Sequence, residues 1–298
     1  MARASHSART RPSTASSSRS PTPRRARNSA RSALFVMIRR FAILAVVFTL
    51  AACSKRDTLV IGLDATYPPF EFVDESGQIT GVSVEIGREI GKTTGRQVEF
   101  RNINFDGLIT ALRTSSIDLV ISSMTANEER RKSIAFSEPY VKTVLSILAA
   151  KDAPVQSADD LKAAGRKVVV RLGTTGESWC RRNLPDAQIK ALDLDSACAM
   201  EVVNGNVDAW VYDQVSIMNY HTQHPDKTRA LLAPVHVEFW AVGLRQQDAA
   251  LKGSVDETLA RMRADGTFTR LAGKYMAKEQ EMMRKQGLPF VFELDAKP

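Results

Sequence analysis

Histidine and cysteine are scarce: 298 residues include four of the first and three of the second. His221 and His224 stand close together in "HTQHP", yet no cysteine or carboxylate cluster accompanies them, so a loop is expected and no metal site. The sequence also lacks a nucleophile elbow, a phosphate loop and an HExxH helix, which removes the enzyme classes those motifs announce. No cofactor is expected. The apolar run Phe41–Leu50 is too short to span a bilayer comfortably. Residues 1–52 lack acidic residues altogether while holding ten arginines.

That last absence decides how the net charge of +8 is read. Beyond residue 52 there remain 31 basic and 33 acidic residues, a balance of −2. The basicity belongs to the N-terminus, and a nucleic-acid partner loses its main support. Residues 1–36 are rich in Arg, Ser, Ala, Thr and Pro and have too little apolar surface to fold. From Met37, a second candidate start, "MIRRFAILAVVFTLAACSKRD" shows two arginines, the apolar run, then small residues: a secretory signal over 37–52. Within it "LAAC" (50–53) resembles a bacterial lipobox, which implies lipidation at Cys53 and a membrane anchor; the alternative is an ordinary signal that carries a cysteine. Export reaches an oxidising compartment, so Cys180 and Cys198 are expected to form a disulfide, the alternative being two buried thiols.

From Thr58 onward, short apolar runs alternate with amphipathic patterns. "TLVIGL" (58–63), "QVEFRNI" (97–103) and "IDLVIS" (117–122) read as strands; Val82, Ile86 and Ile90 mark one helical face between the first two. "VLSILAA" (144–150) leads into a second cycle with strands at 166–172 and 207–212, an extended run at 236–244, and two long helical patterns after it. The alternation predicts an α/β fold with parallel strands, and its two cycles predict two lobes. Ligands of such sheets bind beyond the carboxyl ends of the strands. There the sequence places Asp64, Tyr67, Phe105, Ser122, Ser123, Thr125, Thr174, Thr175 and Asp213. All are polar or aromatic.

Six stretches in order carry a resemblance: "IGLDATYPPFEF", "GVSVEIGREIG", "FDGLITALRTSSIDLVISSMTANEERRKSIAFSEPY", "GTTGES", "VDAWVYD" and "RADGTFTRLAGKYM". Over about 59–276 the chain resembles the family 3 extracellular solute-binding proteins, the amino-acid receptors of ABC importers. The resemblance implies a type II periplasmic-binding-protein fold. Lobe 1 would span 57–143 plus 241–276 and lobe 2 would span 144–240, with crossovers near 143–146 and 240–243. Residues 277–298 form a tail without a legible role. It further implies an exported monomer, periplasmic or at the cell surface, that delivers an L-amino acid to a permease in the cytoplasmic membrane and is not an enzyme. The competing reading on the same fold is a cyclohexadienyl-dehydratase-like enzyme; its substrate prephenate has two carboxylates and no amine.

A buried zwitterion needs a partner for each charge. By resemblance Arg130 is the carboxylate-binding arginine, although charge patterning alone would leave an Arg within "EERRK" on the surface. Asp213 matches the acceptor of the α-ammonium, or caps the helix that follows. Ser123 and Thr125 match positions touching amine and carboxylate, with Ser122 beside them. Thr175 matches a donor to the carboxylate, and Thr174 either assists it or caps a helix. Tyr67 and Phe105 match an aromatic pair around the ligand side chain. Asp64 matches the reader of its far end, favouring an amide or a cation, while Arg171 disfavours a cation. The two conflict. A polar uncharged ligand such as glutamine is expected, with basic amino acids next.

Overall fold

The computed structural model describes residues 57–295. The expected signal segment, Cys53 and residues 1–36 lie outside them. One eight-stranded sheet is built from six short strands and two long ones: β1 (Thr58–Leu63), β5 (Gln97–Asn102), β6 (Leu119–Val120), β7 (Ala135–Ala150), β8 (Lys167–Arg171), β9 (Gln188–Leu192), β10 (Ala209–Asp213) and β11 (Thr228–Leu244). Their order is β5-β1-β6-β11-β7-β10-β8-β9, and β2 (Thr66–Tyr67), β3 (Glu71–Val73) and β4 (Ile79–Thr80) make a small separate sheet. At one end β1 runs parallel to β5 and β6; at the other β8 runs parallel to β9 and β10. Between these parallel sets lie β7 and β11, antiparallel to each other.

These two central strands are much longer than the runs 144–150 and 236–244 read from sequence, because each contains a proline that interrupts the pattern. Pro139 sits beside the register shift at Trp240/Ala241, and Pro234 lies inside the shift between Leu231 and His236. The ladder tolerates both where its pairing is already irregular. The expected crossovers at 143–146 and 240–243 fall inside this paired ribbon.

Helices cover the sheet: α1 (Val82–Thr94), α2 (Leu108–Arg113), α3 (Glu128–Arg131), α4 (Thr175–Asn183), α5 (Asp195–Val203), α6 (Gln214–Gln223), α7 (Ala249–Ala264), α8 (Thr267–Tyr275) and α9 (Ala277–Lys285). Val82, Ile86 and Ile90 of α1 are fully buried, the face their spacing predicts. The last long pattern breaks into α8 and α9 at Met276. The tail then returns to the ribbon, where the Lys142 N–H donates to the Val291 carbonyl at 2.8 Å. Its Met283, Phe290 and Val291 are buried.

The expected Cys180–Cys198 disulfide is not formed: both are free, buried thiols. Cys180 on α4 packs with Val168, Val170 and Val211, whereas Cys198 on α5 packs with Val169 and Trp210. Successive strand residues face opposite sides of a sheet. The two helices therefore lie on opposite faces of β8 and β10, and the sheet separates the sulfurs beyond the reach of a bridge. Burial pushes both thiols up to about 12.

Candidate functional site

The carboxyl ends of β1, β6, β8 and β10 converge on a cleft with about 370 Å³ of space between protein atoms, part of it open to solvent. All eleven residues singled out from sequence line it: Asp64, Tyr67, Phe105, Ser122, Ser123, Thr125, Arg130, Arg171, Thr174, Thr175 and Asp213. Two further residues join them, Glu71 and Tyr212. Residues from opposite ends of the sheet meet here because parallel strands terminate side by side and their loops face inward.

Arg130 shows how tertiary structure overrides local charge. Asn127 caps α3 by accepting from the Arg130 N–H at 2.9 Å, which fixes the backbone. The guanidinium then turns back into the cleft. It donates to the carbonyls of Thr125 at 2.9 Å and Gly173 at 3.1 Å and lies over the Phe105 ring at 5.4 Å. Among the described residues no carboxylate forms an ion pair with it, and burial lowers its pKa. Gly173 has φ 75°, and a Cβ there would come within 3.0 Å of the Asp106 Cβ. A side chain would push the turn away from Phe105, so the close approach needs glycine.

Opposite Arg130 lie hydroxyls and acids. Ser123 adopts φ 48°, a left-handed conformation costly for a residue with a Cβ and most often found where a site demands it. Its hydroxyl donates to Glu71 at 3.1 Å; Ser122 accepts from the Asp64 N–H at 2.9 Å; Thr125 donates to Glu238 at 2.7 Å. Asp213 ends β10 and precedes α6, but its carboxylate does not cap that helix. Oδ2 receives only a long contact from the Tyr67 hydroxyl, 3.4 Å, and Oδ1 has no partner. Burial first, then the nearby Glu238 and Asp195 charges, raise its pKa well above the usual carboxylate range. Thr174 does cap α4, accepting from the Glu177 N–H at 3.3 Å while donating to the Arg171 carbonyl at 2.7 Å, and Thr175 begins the helix.

At the far end, Asp64 and Arg171 no longer conflict, because they pair. Arg171 Nη2 meets Asp64 Oδ2 at 2.6 Å and Nη1 meets Asp195 Oδ1 at 2.8 Å, the second an ion contact without hydrogen-bond alignment. Asp64 also accepts from the Phe105 N–H at 2.9 Å and the Thr66 hydroxyl at 2.8 Å. Burial works to lower the Arg171 pKa; Tyr212 and the two aspartates more than reverse it. The Arg171 guanidinium also lies over Phe105, at 5.8 Å.

Sequence reasoning missed four residues. Glu71, 1% exposed, accepts from Ser83 at 2.6 Å as well as from Ser123, and burial pushes its carboxyl up to about 8. It stands within the quoted "PPFEF", a signal that went unused. Tyr212 adjoins Asp213 and was legible only as a strand aromatic. Asp195 and Glu238, an acid opening a helix and an acid in a strand, carried no local signal. Among the described residues no group of His, Cys, Asp and Glu is arranged to hold a metal ion.

A family model described as bacterial extracellular solute-binding proteins, family 3, matches residues 59–278. The chain is 31% identical over 227 residues to the L-cystine-binding protein TcyJ of Escherichia coli (strain K12), covering 76% of this chain and 85% of that protein. An ancestral arginine-binding protein bound to glutamine superposes with a TM-score of 0.68 at 34% identity, covering 74% of this chain and 98% of the other. The ancestral amino acid-binding protein AncCDT-1, a precursor of cyclohexadienyl dehydratase, gives a TM-score of 0.68 at 35% identity, covering 76% and 99%.

Proposed function

The chain belongs to the bacterial extracellular solute-binding proteins, family 3, and from that premise we propose that it is the extracytoplasmic receptor of an ABC amino-acid importer, binding a polar, uncharged L-amino acid between two closing lobes. One observation carries the reading. Among the described residues, a half-buried guanidinium without a carboxylate partner and a buried carboxylate with an unpartnered oxygen line the same cleft. Each is costly alone, and a zwitterion satisfies both. In this reading the ligand carboxylate lies on Arg130 with help from Thr175, and its ammonium on Asp213, Thr125 and Ser123. Its side chain runs between Tyr67 and Phe105 towards Asp64 and Arg171. Lobe 1 would comprise 57–143 with 241–276, and lobe 2 would comprise 144–240.

Glutamine-like ligands suit the far end better than lysine or arginine. Asp64 is already engaged by Arg171, so an amide can accept from one and donate to the other, whereas a second cation would face Arg171. A dehydratase reading is less well supported, because Asp213 offers an acid where prephenate has no amine. Anchoring through a lipid on Cys53 and a monomeric state complete the proposal. The test is a melting screen of the purified protein against the twenty amino acids, L-cystine and prephenate, since a ligand of the native state raises the midpoint. A rise with glutamine or another polar amino acid is expected. No rise with any amino acid, together with turnover of prephenate, would sink the reading.

A further inference from the structure

Glu238 is buried, 2% exposed, on a strand that does not border the cleft, and no sequence motif marks it. Its Oε2 accepts the Thr125 hydroxyl proton at 2.7 Å, and its Oε1 has no partner. An isolated buried carboxylate in the middle of a sheet is expensive unless something compensates it. The strand register shows what lies beside it. Glu238 on β11 stands opposite Thr143 of β7, and Asp213 on β10 stands opposite Leu145 of the same strand. Opposed residues share a face, as do residues two apart along β7. The two acids therefore flank β7 on one face, and around them Thr143 Oγ1, Asp213 Oδ1 and Glu238 Oε1 are all buried without partners.

We propose that Glu238 is a positioning residue for the ligand ammonium: it holds the Thr125 hydroxyl as a donor to itself, and with Asp213 it makes the ammonium pocket a two-carboxylate one. A hydroxyl has one proton. With that proton on Glu238, the Thr125 oxygen can only accept, which suits an ammonium N–H and repels a carboxylate. The inference rests on the amino-acid reading above. The surrounding charged and titratable groups are Arg130 on α3, Asp195 on α5, Arg171 on β8 and the Tyr67 hydroxyl on β2; Glu238 is the largest charged contributor to the raised Asp213 pKa. The Glu238 charge adds to burial in holding Asp213 back from ionising. Arrival of an ammonium favours ionised Asp213, which gives up a proton to solvent as ligand binds.

Calorimetric titration of L-glutamine into the purified protein at pH 7, in phosphate and in Tris, reads affinity and proton release together. Wild type is expected to release a fraction of a proton per ligand. Glu238→Gln keeps an acceptor for Thr125 but removes the charge; it should lose about tenfold or more in affinity, the scale of a hydrogen bond to a charged group. Its proton release should fall, which a merely structural role would not cause. Thr125→Val, which keeps the acid and removes the relay, should lose at least as much affinity, and it tests the relay should Glu238→Gln fail to fold. Wild-type affinity within twofold in either variant, or no proton released by wild type between pH 6 and 8, overturns the inference. Failure of every amino acid to bind the wild type would instead overturn the functional reading.

Discussion

The two ends of the cleft hold similar residues in opposite states. At one end Arg130 touches only carbonyls and a ring, and Asp213 keeps an oxygen unpartnered. At the other, Arg171 is held between two aspartates, with Asp64 further satisfied by an N–H and a hydroxyl. Both guanidiniums lie over the same Phe105 ring, so aromatic contact does not separate them, although Arg171 is buried and Arg130 half-buried. What also differs is whether each has carboxylate partners inside the protein. A balanced pair is part of the scaffold, and an unbalanced one is a demand that a ligand meets. In the proposed reading, the first end recognises the common amino-acid head and the second selects the side chain.

The contrast can be broken first at Arg130. Arg130→Ala should lower amino-acid affinity by on the order of a thousandfold, the scale of a buried charge left unpaired, with a small effect on ligand-free melting. Calorimetry and a melting curve measure the two; a large loss of ligand-free stability would place Arg130 with the scaffold instead. Arg171→Met reverses the pattern. It strands Asp64 and Asp195, should lower stability by about 3 kcal/mol in denaturant titration, and should turn the ligand preference towards lysine and arginine. Unchanged preference in that variant would show that the far end does not select.

A third effect concerns pH. The Glu71 carboxyl is raised to about 8 by burial, against the partial opposition of Ser83 and Ser123. The folded state therefore holds a proton that the unfolded chain releases near pH 4.5. The contribution is fully present below that value and is lost as pH rises to about 8, beyond which it is flat. Melting temperature should fall across this window, and Glu71→Gln should reduce the slope. An identical slope in the variant would contradict the assignment.

Much of this was legible in the residues. The spacing of Val82, Ile86 and Ile90 predicted the buried face of α1, and the alternation of runs predicted the two parallel sets. The hydroxyl run Ser122–Thr125 marked the carboxyl end of β6. What stayed hidden depended on partners far along the chain. Arg171 pairs with Asp64 across 107 residues, and Thr125 with Glu238 across 113, so no window of sequence contains either pair. The expected disulfide failed for a related reason. Compartment and cysteine count favoured a bridge, but the side of the sheet on which each helix packs decided against it.

The β7–β11 ribbon has a mechanical consequence. If the proposed lobes close about their crossovers, the hinge is no loop but a paired ladder, whose register runs from Thr228↔Ala150 to Leu244↔Ala135. Twisting such a ladder loads it like a torsion spring, with compliance gathered where the register already slips, at Trp240/Ala241 and Ala241/Gly243. Trp240 also bridges to Thr125 at the cleft wall. In the proposed reading, a ligand held at that wall would therefore act directly beside two of the ladder's register shifts.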